Sequence, residues 1–258
     1  MTAPPPLPGM IVLAGGLGTR LQGSIDPDLP KILAPIHGRP FLDYLLAWCA
    51  GQNLARIRFA LGHRADPVIA RLQAAAGHLP LPIDWSIEAA PLGTAGALAM
   101  ALGEGWPGDA PCLVMNGDTL VDVALAAFCA QFRRTGAEVG LVAARVRDPG
   151  RYGALTLDDA DRVLRFAEKR PAGRDDEASW INAGIYLLSP AVLASIRTWS
   201  GGSLERDLLS TLPAGAIWAF RGARRFIDIG THASLDEAQR LLAPLAGRSP
   251  AGSLWSGS

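Results

Sequence analysis

The sequence predicts an α/β fold in which a mainly parallel β-sheet is flanked by helices. The first observation is that short β-branched runs alternate with longer segments that carry apolar residues at helical spacing. Such alternation is typical of parallel strands joined by helical crossovers, which place helices on both faces of a sheet. The second observation is that 49% of the 258 residues are hydrophobic and 19% are charged, which is enough apolar surface for a substantial core. Ligands are then expected at the carboxyl ends of the strands.

The elements of the first 150 residues follow from their periodicity. β-Branched runs predict strands at residues 10–14, 57–61, 83–87, 112–115 and 139–144. Apolar residues at helical spacing predict helices at residues 41–52, 67–76, 93–102 and 123–134. Strands and helices therefore alternate up to about Pro149.

After Pro149 the pattern changes, and we expect a small β-rich lobe, roughly residues 150–220, inserted over the sheet. Two short strands around an acidic turn are followed by a strand at 181–188, helices near 191–197 and 204–212, and a strand at 216–220. A last helix at 234–245 is expected to complete a single domain that covers residues 10–245. The proline-rich residues 1–9 are expected to be flexible, and residues 246–258 to form a loose tail.

Charge and cysteine content exclude several classes of partner. The 24 cationic residues balance 24 acidic ones, so no nucleic acid or anionic membrane is expected to bind through net charge. The uncharged stretch 178–196 contains Asn182 and Pro190 and does not resemble a membrane span. The three cysteines lack metal-binding spacing and are expected to be buried thiols. The N-terminal prolines do not fit a secretory helix, and we therefore expect a cytoplasmic protein.

A glycine-rich segment follows the first predicted strand and has the character of a phosphate-binding loop. It reads VLAGGLGTRLQ at residues 12–22. A dinucleotide fingerprint is excluded because its third glycine, counted from Gly16 and Gly18, is replaced by Leu21, and a P-loop is excluded because the chain has no Gly-Lys pair. What remains is a strand, bare backbone amides, a guanidinium at Arg20 and an ammonium at Lys31. This combination fits the triphosphate of a nucleotide.

The same segment begins a series of motifs by which the chain resembles the sugar-1-phosphate nucleotidyltransferases. Their signature, G-G-x-G-T-R-L with a lysine about ten residues later, is matched by GGLGTRL at 15–21 and LPKILAPIHGRPFL at 29–42. Further matches are EAAPLGTAGAL from Glu88, NGDTLVD from Asn116, FAEKR from Phe166, NAGIYLLSP from Asn182 and FIDIGTHASLDEAQ from Phe226. The resemblance covers nearly the whole chain. Ile32 departs from it, since many relatives have proline after the lysine.

The resemblance implies a Rossmann-like nucleotide-diphospho-sugar transferase fold and a Mg²⁺-dependent reaction. The short chain and the segment 29–46 are most similar to the D-glycero-α-D-manno-heptose 1-phosphate guanylyltransferases, which implies transfer of GMP from GTP to that sugar 1-phosphate with release of pyrophosphate. A phosphate oxygen is already ionised, so this reaction needs in-line positioning and charge neutralisation and no strong base.

Alternatives to this assignment stay open. Within the class they are a mannose-1-phosphate guanylyltransferase or a small sugar-1-phosphate uridylyltransferase. A noncatalytic subunit that senses nucleotide sugars belongs to another class, and a glycosyltransferase would be favoured if sugar were transferred without pyrophosphate release. The chain is expected to be a monomer or a homodimer.

Site residues are carried over from the matching motifs. Arg20 would hold the leaving pyrophosphate, Lys31 the reacting phosphates and Lys169 the phosphate of the sugar. Nucleotide contacts are implied for Leu13, Ala14, Gly15, Gly16, Gly18, Thr19, Glu88, Pro91, Leu92, Gly93 and Thr94. Sugar-phosphate contacts are implied for Asn116, Gly117, Gly153, Glu168, Lys169 and Asn182.

Two carboxylates, Asp118 and Asp228, are the expected Mg²⁺ ligands. Each follows an apolar run, and for Asp118 this is the carboxyl end of a predicted strand, where a metal site is expected. The alternatives are a turn aspartate for Asp118 and a cap of the helix that starts near Thr231 for Asp228.

Lysine usage supports the phosphate contacts independently. Only Lys31 and Lys169 among the 24 cationic residues are lysines, and both lie in phosphate-binding motifs. A compact ammonium acts as a point charge where a planar guanidinium does not fit. The alternatives are a surface ion pair for Arg20 and an exposed cation for Lys169. Glu88 is expected to contact guanine, whose N–H donors a carboxylate can accept.

Overall fold

The computed structural model describes residues 4–16, 26, 28–103, 105–147, 152, 154–166 and 179–245. The strands in this part of the chain are β1 (Met10–Leu13), β2 (Pro35–Ile36), β3 (Arg39–Pro40), β4 (Ile57–Leu61), β5 (Ile83–Ile87), β6 (Cys112–Asn116), β7 (Thr119–Asp122), β8 (Val139–Val146), β9 (Leu155–Leu157), β10 (Val163–Phe166), β11 (Ser179–Leu188), β12 (Ile217–Phe220) and β13 (Arg225–Asp228). The helices are α1 (Phe41–Ala50), α2 (Ala65–Ala76), α3 (Gly93–Ala101), α4 (Leu125–Thr135), α5 (Pro190–Ile196) and α6 (His232–Leu242).

Seven of these strands form the central sheet, in the order β12-β8-β11-β6-β1-β4-β5. β1 is parallel to β4 and β6, β4 is parallel to β5, and β8 is parallel to β12. β11 is antiparallel to both of its neighbours, β6 and β8. The prediction of a mainly parallel α/β sheet is therefore confirmed.

Helices cover both faces of this sheet, as the alternation of elements predicts. In β1, Met10 and Val12 belong to one buried cluster and Ile11 to the other, because successive side chains of a strand point to opposite faces. The first cluster takes helical residues from α1, α2, α4 and α6, and the second from α3 and α5. Burial on both faces explains why β1 carries no charged or polar side chain.

The segment 150–220 differs from the lobe that the sequence suggested. Two of its strands belong to the central sheet: β11 lies between β6 and β8, and β12 forms an edge. β9 and β10 make a separate hairpin, which a bridge between Arg162 and Trp218 joins to β12. The physical reason is that residues 185–188 are buried on both sides of the strand, and an apolar run of this kind belongs in the interior of a sheet.

Other element ends also depart from the predictions. Residues 204–212 form a π-helical turn (Leu204–Leu208) followed by a 3₁₀ turn (Leu209–Thr211), not one α-helix. α6 begins at His232 because Thr231 caps it, and it ends at Leu242 before a 3₁₀ turn (Ala243–Leu245).

The N-terminal segment is attached to the sheet where flexibility was expected. The Leu7 N–H donates to the Asn53 carbonyl at 2.9 Å, and the Ala55 N–H donates to the Leu7 carbonyl at 3.1 Å. These bonds extend the parallel pairing of β1 and β4 towards the N-terminus. Leu7 is therefore held by backbone hydrogen bonds, the expected flexibility of residues 1–9 stays a prediction, and the expected tail at 246–258 lies outside the described residues.

The described helices and cysteines agree with two simpler expectations. None of these helices combines the length and the apolar character needed to cross a bilayer. The three cysteines are free and buried, and burial raises the pKa of the Cys129 thiol to about 11. Burial raises the thiol pKa values of Cys49 and Cys112 as well, so all three thiols stay protonated near neutral pH.

An ion-pair network fixes the edge of the sheet next to α3. Arg58 and Asp84 are register partners on β4 and β5, with Nε 2.7 Å from Oδ1, and Arg56 Nη2 lies 2.5 Å from Asp84 Oδ2. Arg58 Nη1 also donates to the Ala101 carbonyl at the end of α3. Burial raises the pKa of Asp84, but the hydrogen bonds from Arg58 and Arg56 outweigh it and leave that pKa below its ordinary value.

This network predicts an acid-sensitive contribution to stability. Because the folded-state pKa of Asp84 is depressed, its contribution is complete above the unfolded-state pKa, near 3.9, and is lost as the pH falls through the folded-state value. Asp84→Asn should lower the free energy of unfolding at pH 7 by about 1 kcal/mol. Wild type and Asp84→Asn are unfolded with urea at pH 7 and at pH 3. The difference between their free energies of unfolding should be smaller at pH 3. A constant difference would contradict this assignment, and Asp66→Asn, at the exposed start of α2, is the control.

Candidate active site

A cavity of about 390 Å³ opens at the carboxyl ends of β1 and β6. This is the edge at which a parallel sheet is expected to bind ligands. Its lining combines strand ends, the start of α3, one lysine and three acidic side chains. The lining residues are Leu13, Ala14, Gly15, Gly16, Lys31, Ile32, Glu88, Pro91, Gly93, Thr94, Ala97, Asn116, Gly117, Asp118, Glu205 and Gly230. Most of the expected nucleotide-binding residues are thus brought together.

The remaining expected residues fall into two groups. Those outside the described residues are Gly18, Thr19, Arg20, Gly153, Glu168 and Lys169. Leu92, Asn182 and Asp228 are described but do not line this cavity.

Two glycines, Gly15 after β1 and Gly62 after β4, leave space for the side chain of Glu88. A Cβ on Gly15 would lie 2.8 Å from Glu88 Oε1, and one on Gly62 would lie 2.7 Å from the same oxygen. Both separations are too short for real Cβ atoms, so glycine at these two positions allows the carboxylate to approach. Glu88 is only 9% exposed, although it faces the cavity. Gly15 and Gly62 therefore shape the side of the cavity on which the Glu88 carboxylate lies.

Glu88 also closes the loop that leads into α3. Its Oε2 accepts the Leu92 N–H at 3.1 Å, and this explains why Leu92 supports the cavity without lining it. α3 then begins at Gly93, which has φ +72° and approaches the Gly202 carbonyl so closely that a Cβ would lie 2.4 Å from it. The start of α3 is thereby held at the cavity, where its N-terminal dipole favours anionic groups.

The segment after β6 places Asp118 beside the end of β1. The Gly117 N–H donates to the Leu13 carbonyl at 2.8 Å, and the Thr119 hydroxyl donates to the Asn116 carbonyl at 3.1 Å. Asp118 lies in the turn after β6 and also lines the cavity, so its expected role as a metal ligand stays a prediction. The turn aims its carboxylate into the cavity.

Lys31 forms an ion pair with Asp118 inside the cavity. Its Nζ lies 2.5 Å from Asp118 Oδ2, and the lysine side chain is 17% exposed. Lys31 starts a 3₁₀ turn whose next residue, Ile32, is 3% exposed. The departure from the family motif at position 32 is thus a buried anchor that leaves the ammonium in place.

Asp228 reaches the same region from β13. Pairing of β13 with β7 sets Asp228 opposite Thr119, and the Ile229 N–H donates to the Asp118 carbonyl at 2.9 Å. Asp228 Oδ2 accepts the Gly230 N–H at 2.9 Å and Oδ1 accepts the Tyr152 hydroxyl at 3.2 Å. A Cβ on Gly230 would lie 2.6 Å from Asp228 Oδ2 and 3.4 Å from Lys31 Nζ. The Asp228 carboxylate and the Lys31 ammonium therefore lie close to one another.

The alternative role of Asp228 as a helix cap is wrong. The Thr231 hydroxyl accepts the Ser234 N–H, and the Ser234 hydroxyl bonds back to the Thr231 N–H. This capping box provides hydrogen-bond acceptors for two backbone N–H groups at the start of α6, and Asp228 takes no part in it.

The donor set fits Mg²⁺ better than a metal held by protein alone. No group of three or more His, Cys, Asp or Glu side chains suited to a metal occurs in the described ranges. Mg²⁺ is commonly held by one or two carboxylates together with substrate phosphates. Asp118 follows β6 and Asp228 ends β13, and both carboxylates lie near Lys31 beside the cavity, so the donor set is of the kind that holds a cation together with substrate phosphates.

Asn182 lies in an irregular part of β11. The pairing of β11 with β8 shifts register between Asn182 and Tyr186. Asn182 Oδ1 accepts the Gly184 N–H at 3.0 Å, and its Nδ2 donates to the Tyr186 hydroxyl at 2.7 Å. Residues 182–184 therefore form a bulge inside one continuous strand, of the kind that re-aims side chains next to active sites.

Sequence reasoning missed Glu205. It lines the cavity from the π-helical turn Leu204–Leu208, and its Oε1 accepts the Tyr186 hydroxyl at 2.8 Å. The surrounding SLERDLL has ordinary helical spacing and no motif that marks this glutamate. Nothing in the sequence connects it with Tyr186.

Comparison with known proteins shows the family to which the chain is similar. The model of a family described as nucleotidyl transferase matches residues 9–243. The mannose-1-phosphate guanylyltransferase of Mycobacterium tuberculosis is 33% identical over 225 residues, 86% of this chain and 60% of that protein. The D-glycero-alpha-D-manno-heptose 1-phosphate guanylyltransferase of Campylobacter jejuni is 31% identical over 224 residues, 85% of this chain and 93% of that protein. The chain thus spans less than two thirds of the first relative and nearly all of the second.

Solved structures show the same fold. The crystal structure of HddC from Yersinia pseudotuberculosis matches with a TM-score of 0.78 and 31% identity, over 91% of this chain and 99% of that one. HddC complexed with GMP-PN gives a TM-score of 0.76 and 30% identity over the same shares. With its family model matched over residues 9–243 and a relative of similar length at 31% identity, the chain belongs to the nucleotidyl transferase family.

Proposed function

We propose that this chain transfers GMP from GTP to a sugar 1-phosphate, releases pyrophosphate and forms a GDP-sugar. The observation that carries the proposal is the Lys31–Asp118 pair, set beside the bare backbone of Gly15 and Gly16 in one cavity. D-glycero-α-D-manno-heptose 1-phosphate is the favoured acceptor because the Campylobacter relative with that activity in its name matches this chain in length. Mannose 1-phosphate is the second candidate, supported by the 33% identity to the Mycobacterium relative.

The proposed mechanism needs positioning and neutralised charge. A phosphate oxygen of the sugar 1-phosphate attacks the α-phosphorus of GTP, and the bond to the leaving pyrophosphate breaks. Lys31 neutralises charge on the reacting phosphates, while the end of β1 and the start of α3 offer backbone N–H groups to the triphosphate. Arg20 on the pyrophosphate and Lys169 on the sugar phosphate complete the set. These last two roles rest on their motifs, since both residues lie outside the described ranges.

Asp118 and Asp228 would hold the metal in this reaction. Bound Mg²⁺ supplies charge neutralisation on the phosphate oxygens. Asp118, in the turn after β6, and Asp228, at the end of β13, would hold and orient it, and the Gly230 N–H on Asp228 Oδ2 fixes one carboxylate. Since GTP and sugar phosphates are metabolites of the cytoplasm, we place the reaction there.

The direct test is a pyrophosphate-release screen. Five nucleoside triphosphates are assayed against a panel of sugar 1-phosphates with Mg²⁺, and the GTP reaction with the heptose or mannose substrate should be fastest. Absence of pyrophosphate release from every pair would overturn the proposal and favour the sensor alternative.

Lys31→Met should lower kcat by about 100-fold, because removal of one preorganised charge that stabilises a transition state has an effect of this size. Ile32 stays buried in the variant, so the fold should persist. The measurement is steady-state turnover with circular dichroism. The control is Arg240→Met on the exposed side of α6, and a turnover within threefold of wild type at Lys31→Met would show that this lysine is misassigned.

Asp118→Asn should abolish the response to Mg²⁺, because an amide cannot replace an ionised oxygen ligand. Turnover is titrated with Mg²⁺, and binding of Mn²⁺ in the presence of GTP is followed by electron paramagnetic resonance. Asp236→Asn on α6 is the matched control. Unchanged Mn²⁺ binding in Asp118→Asn would exclude this aspartate as a ligand.

Glu88→Gln should reduce the preference for GTP over UTP by about tenfold or more, since a carboxylate accepts the N–H donors of guanine and an amide does so less well. The glutamine oxygen can still accept the Leu92 N–H, so the loop before α3 keeps its support. The measurement is the ratio of kcat/KM for the two nucleotides. A ratio equal to that of wild type would exclude Glu88 from base recognition.

A further inference from the structure

We propose that Glu205 binds a hydroxyl group of the sugar 1-phosphate and thereby selects the sugar. This inference rests on the proposed function and adds a residue that the motifs do not assign. Glu205 is one of two glutamates that line the described part of the cavity. The other, Glu88, is engaged with the loop before α3.

The carboxylate of Glu205 accepts hydrogen bonds from two neutral hydroxyl groups. Oε1 accepts the Tyr186 hydroxyl at 2.8 Å and Oε2 accepts the Ser203 hydroxyl at 3.3 Å. Within the described ranges no lysine or arginine forms an ion pair with it. A carboxylate without a paired cation repels phosphates, whereas each of its oxygens can accept another hydrogen bond. A sugar hydroxyl is the substrate group that satisfies both conditions.

Glu205 enters the cavity from a different element than Lys31 and Asp118. The turn that carries it is tied to α3, where the Leu204 N–H donates to the Thr94 hydroxyl at 2.7 Å. Lys31, in contrast, is paired with Asp118. Glu205 also connects to Asn182 through Tyr186, and Asn182 is the residue that the family motif assigns to the sugar.

Tyr186 is a positioning residue in this arrangement. Its side chain is fully buried, and its hydroxyl accepts from Asn182 Nδ2 at 2.7 Å while donating to Glu205. Burial, followed by the charge of Glu205, raises the pKa of Tyr186 well above its ordinary value, so the hydroxyl keeps its proton and its direction of donation. The amide of Asn182 and the carboxylate of Glu205 are therefore oriented by one shared group.

Substrate analogues test the proposal. Mannose 1-phosphate and its 2-, 3-, 4- and 6-deoxy analogues are assayed at saturating GTP with wild type and Glu205→Gln. For the parent sugar we expect KM to rise about 10- to 100-fold in Glu205→Gln, the range for a hydrogen bond to a charged group. One deoxy analogue should bind wild type poorly and be nearly insensitive to the substitution, because it lacks the hydroxyl concerned. If all five sugars change by the same factor, Glu205 only supports the fold and the proposal is wrong.

The affinity for GTP shows whether Glu205 contacts the sugar 1-phosphate or the ribose of the nucleotide. The Kd of GTP, measured by calorimetry, should be equal in wild type and Glu205→Gln, and a weakened Kd would place the hydroxyl on the ribose and overturn the proposal. Tyr186→Phe, like Glu205→Gln, should raise the KM of the sugar with little change in kcat. The effect of Tyr186→Phe on KM should be smaller when Glu205→Gln is already present. Full additivity would exclude Tyr186 as a positioning residue.

Matched controls are available outside the cavity. Glu138 accepts the Ser189 hydroxyl, and Tyr44 is buried with its hydroxyl on the Ile36 carbonyl at 3.2 Å. Glu138→Gln and Tyr44→Phe should leave the sugar KM unchanged. If wild type released no pyrophosphate with any sugar, the proposed function itself would fail, whereas a transferase indifferent to Glu205→Gln would contradict this inference alone.

Discussion

A close backbone contact between the ends of β1 and β6 holds the site together. The Gly117 N–H bonds to the Leu13 carbonyl, and a Cβ at Gly117 would lie 2.8 Å from that oxygen and 3.0 Å from the Ala14 Cβ. A side chain at this position would therefore push the two strand ends apart. Because the strands are parallel, their carboxyl ends meet at one edge, and the contact sets Asp118 directly beyond the glycine-rich segment. The position of Asp118 in the cavity follows from this contact.

The charged groups reach that edge from three separate segments. Asp118 follows β6, Asp228 ends β13, and Lys31 starts a short turn anchored by the burial of Ile32. A lysine between two carboxylates leaves an excess of negative charge, which suits a divalent cation. That cation and the lysine together can then neutralise the phosphates of two anionic substrates. Such a site lowers the barrier by charge already in place, and it requires no side chain with an unusual proton affinity.

The sequence was sufficient for the fold class and for the positions of most strands and helices, and it failed where local pattern and tertiary context differ. β1 could be predicted because it is a compact apolar run, and β4 and β5 because apolar residues alternate along them. β7 and β13 were missed because each is a short segment that carries a charged residue at one or both ends, although their pairing is what brings Asp228 to Asp118. The lobe expected at roughly 150–220 stays a prediction, while β11 and β12 within those residues are strands of the central sheet, where the apolar run of β11 fits.

The residues of the candidate site also divide into those that local sequence indicates and those that only tertiary contacts reveal. Motif spacing indicated Gly15, Lys31 and Asp118, since each belongs to a short segment whose chemistry is local, and the structure brings the three to one cavity. Glu205 could not be selected, because its importance comes from contact with Tyr186, 19 residues away in the chain. Long-range side-chain pairs of this kind leave no regular pattern in a single sequence.

The bulge in β11 connects the phosphate side of the cavity to the residues around Tyr186. Gly184 has φ +73°, a conformation that favours glycine, and a Cβ there would lie 2.7 Å from Asn116 Nδ2. Asn116 from β6 thus packs over the bulge that turns Asn182 towards Tyr186. Regular pairing resumes at once, with Ile185 opposite Met115, so the irregular residues are fixed by a rigid sheet on both sides. Residues that select the sugar from such a strand would move less than residues on a surface loop, because displacement of Asn182 would require the central strand itself to shift.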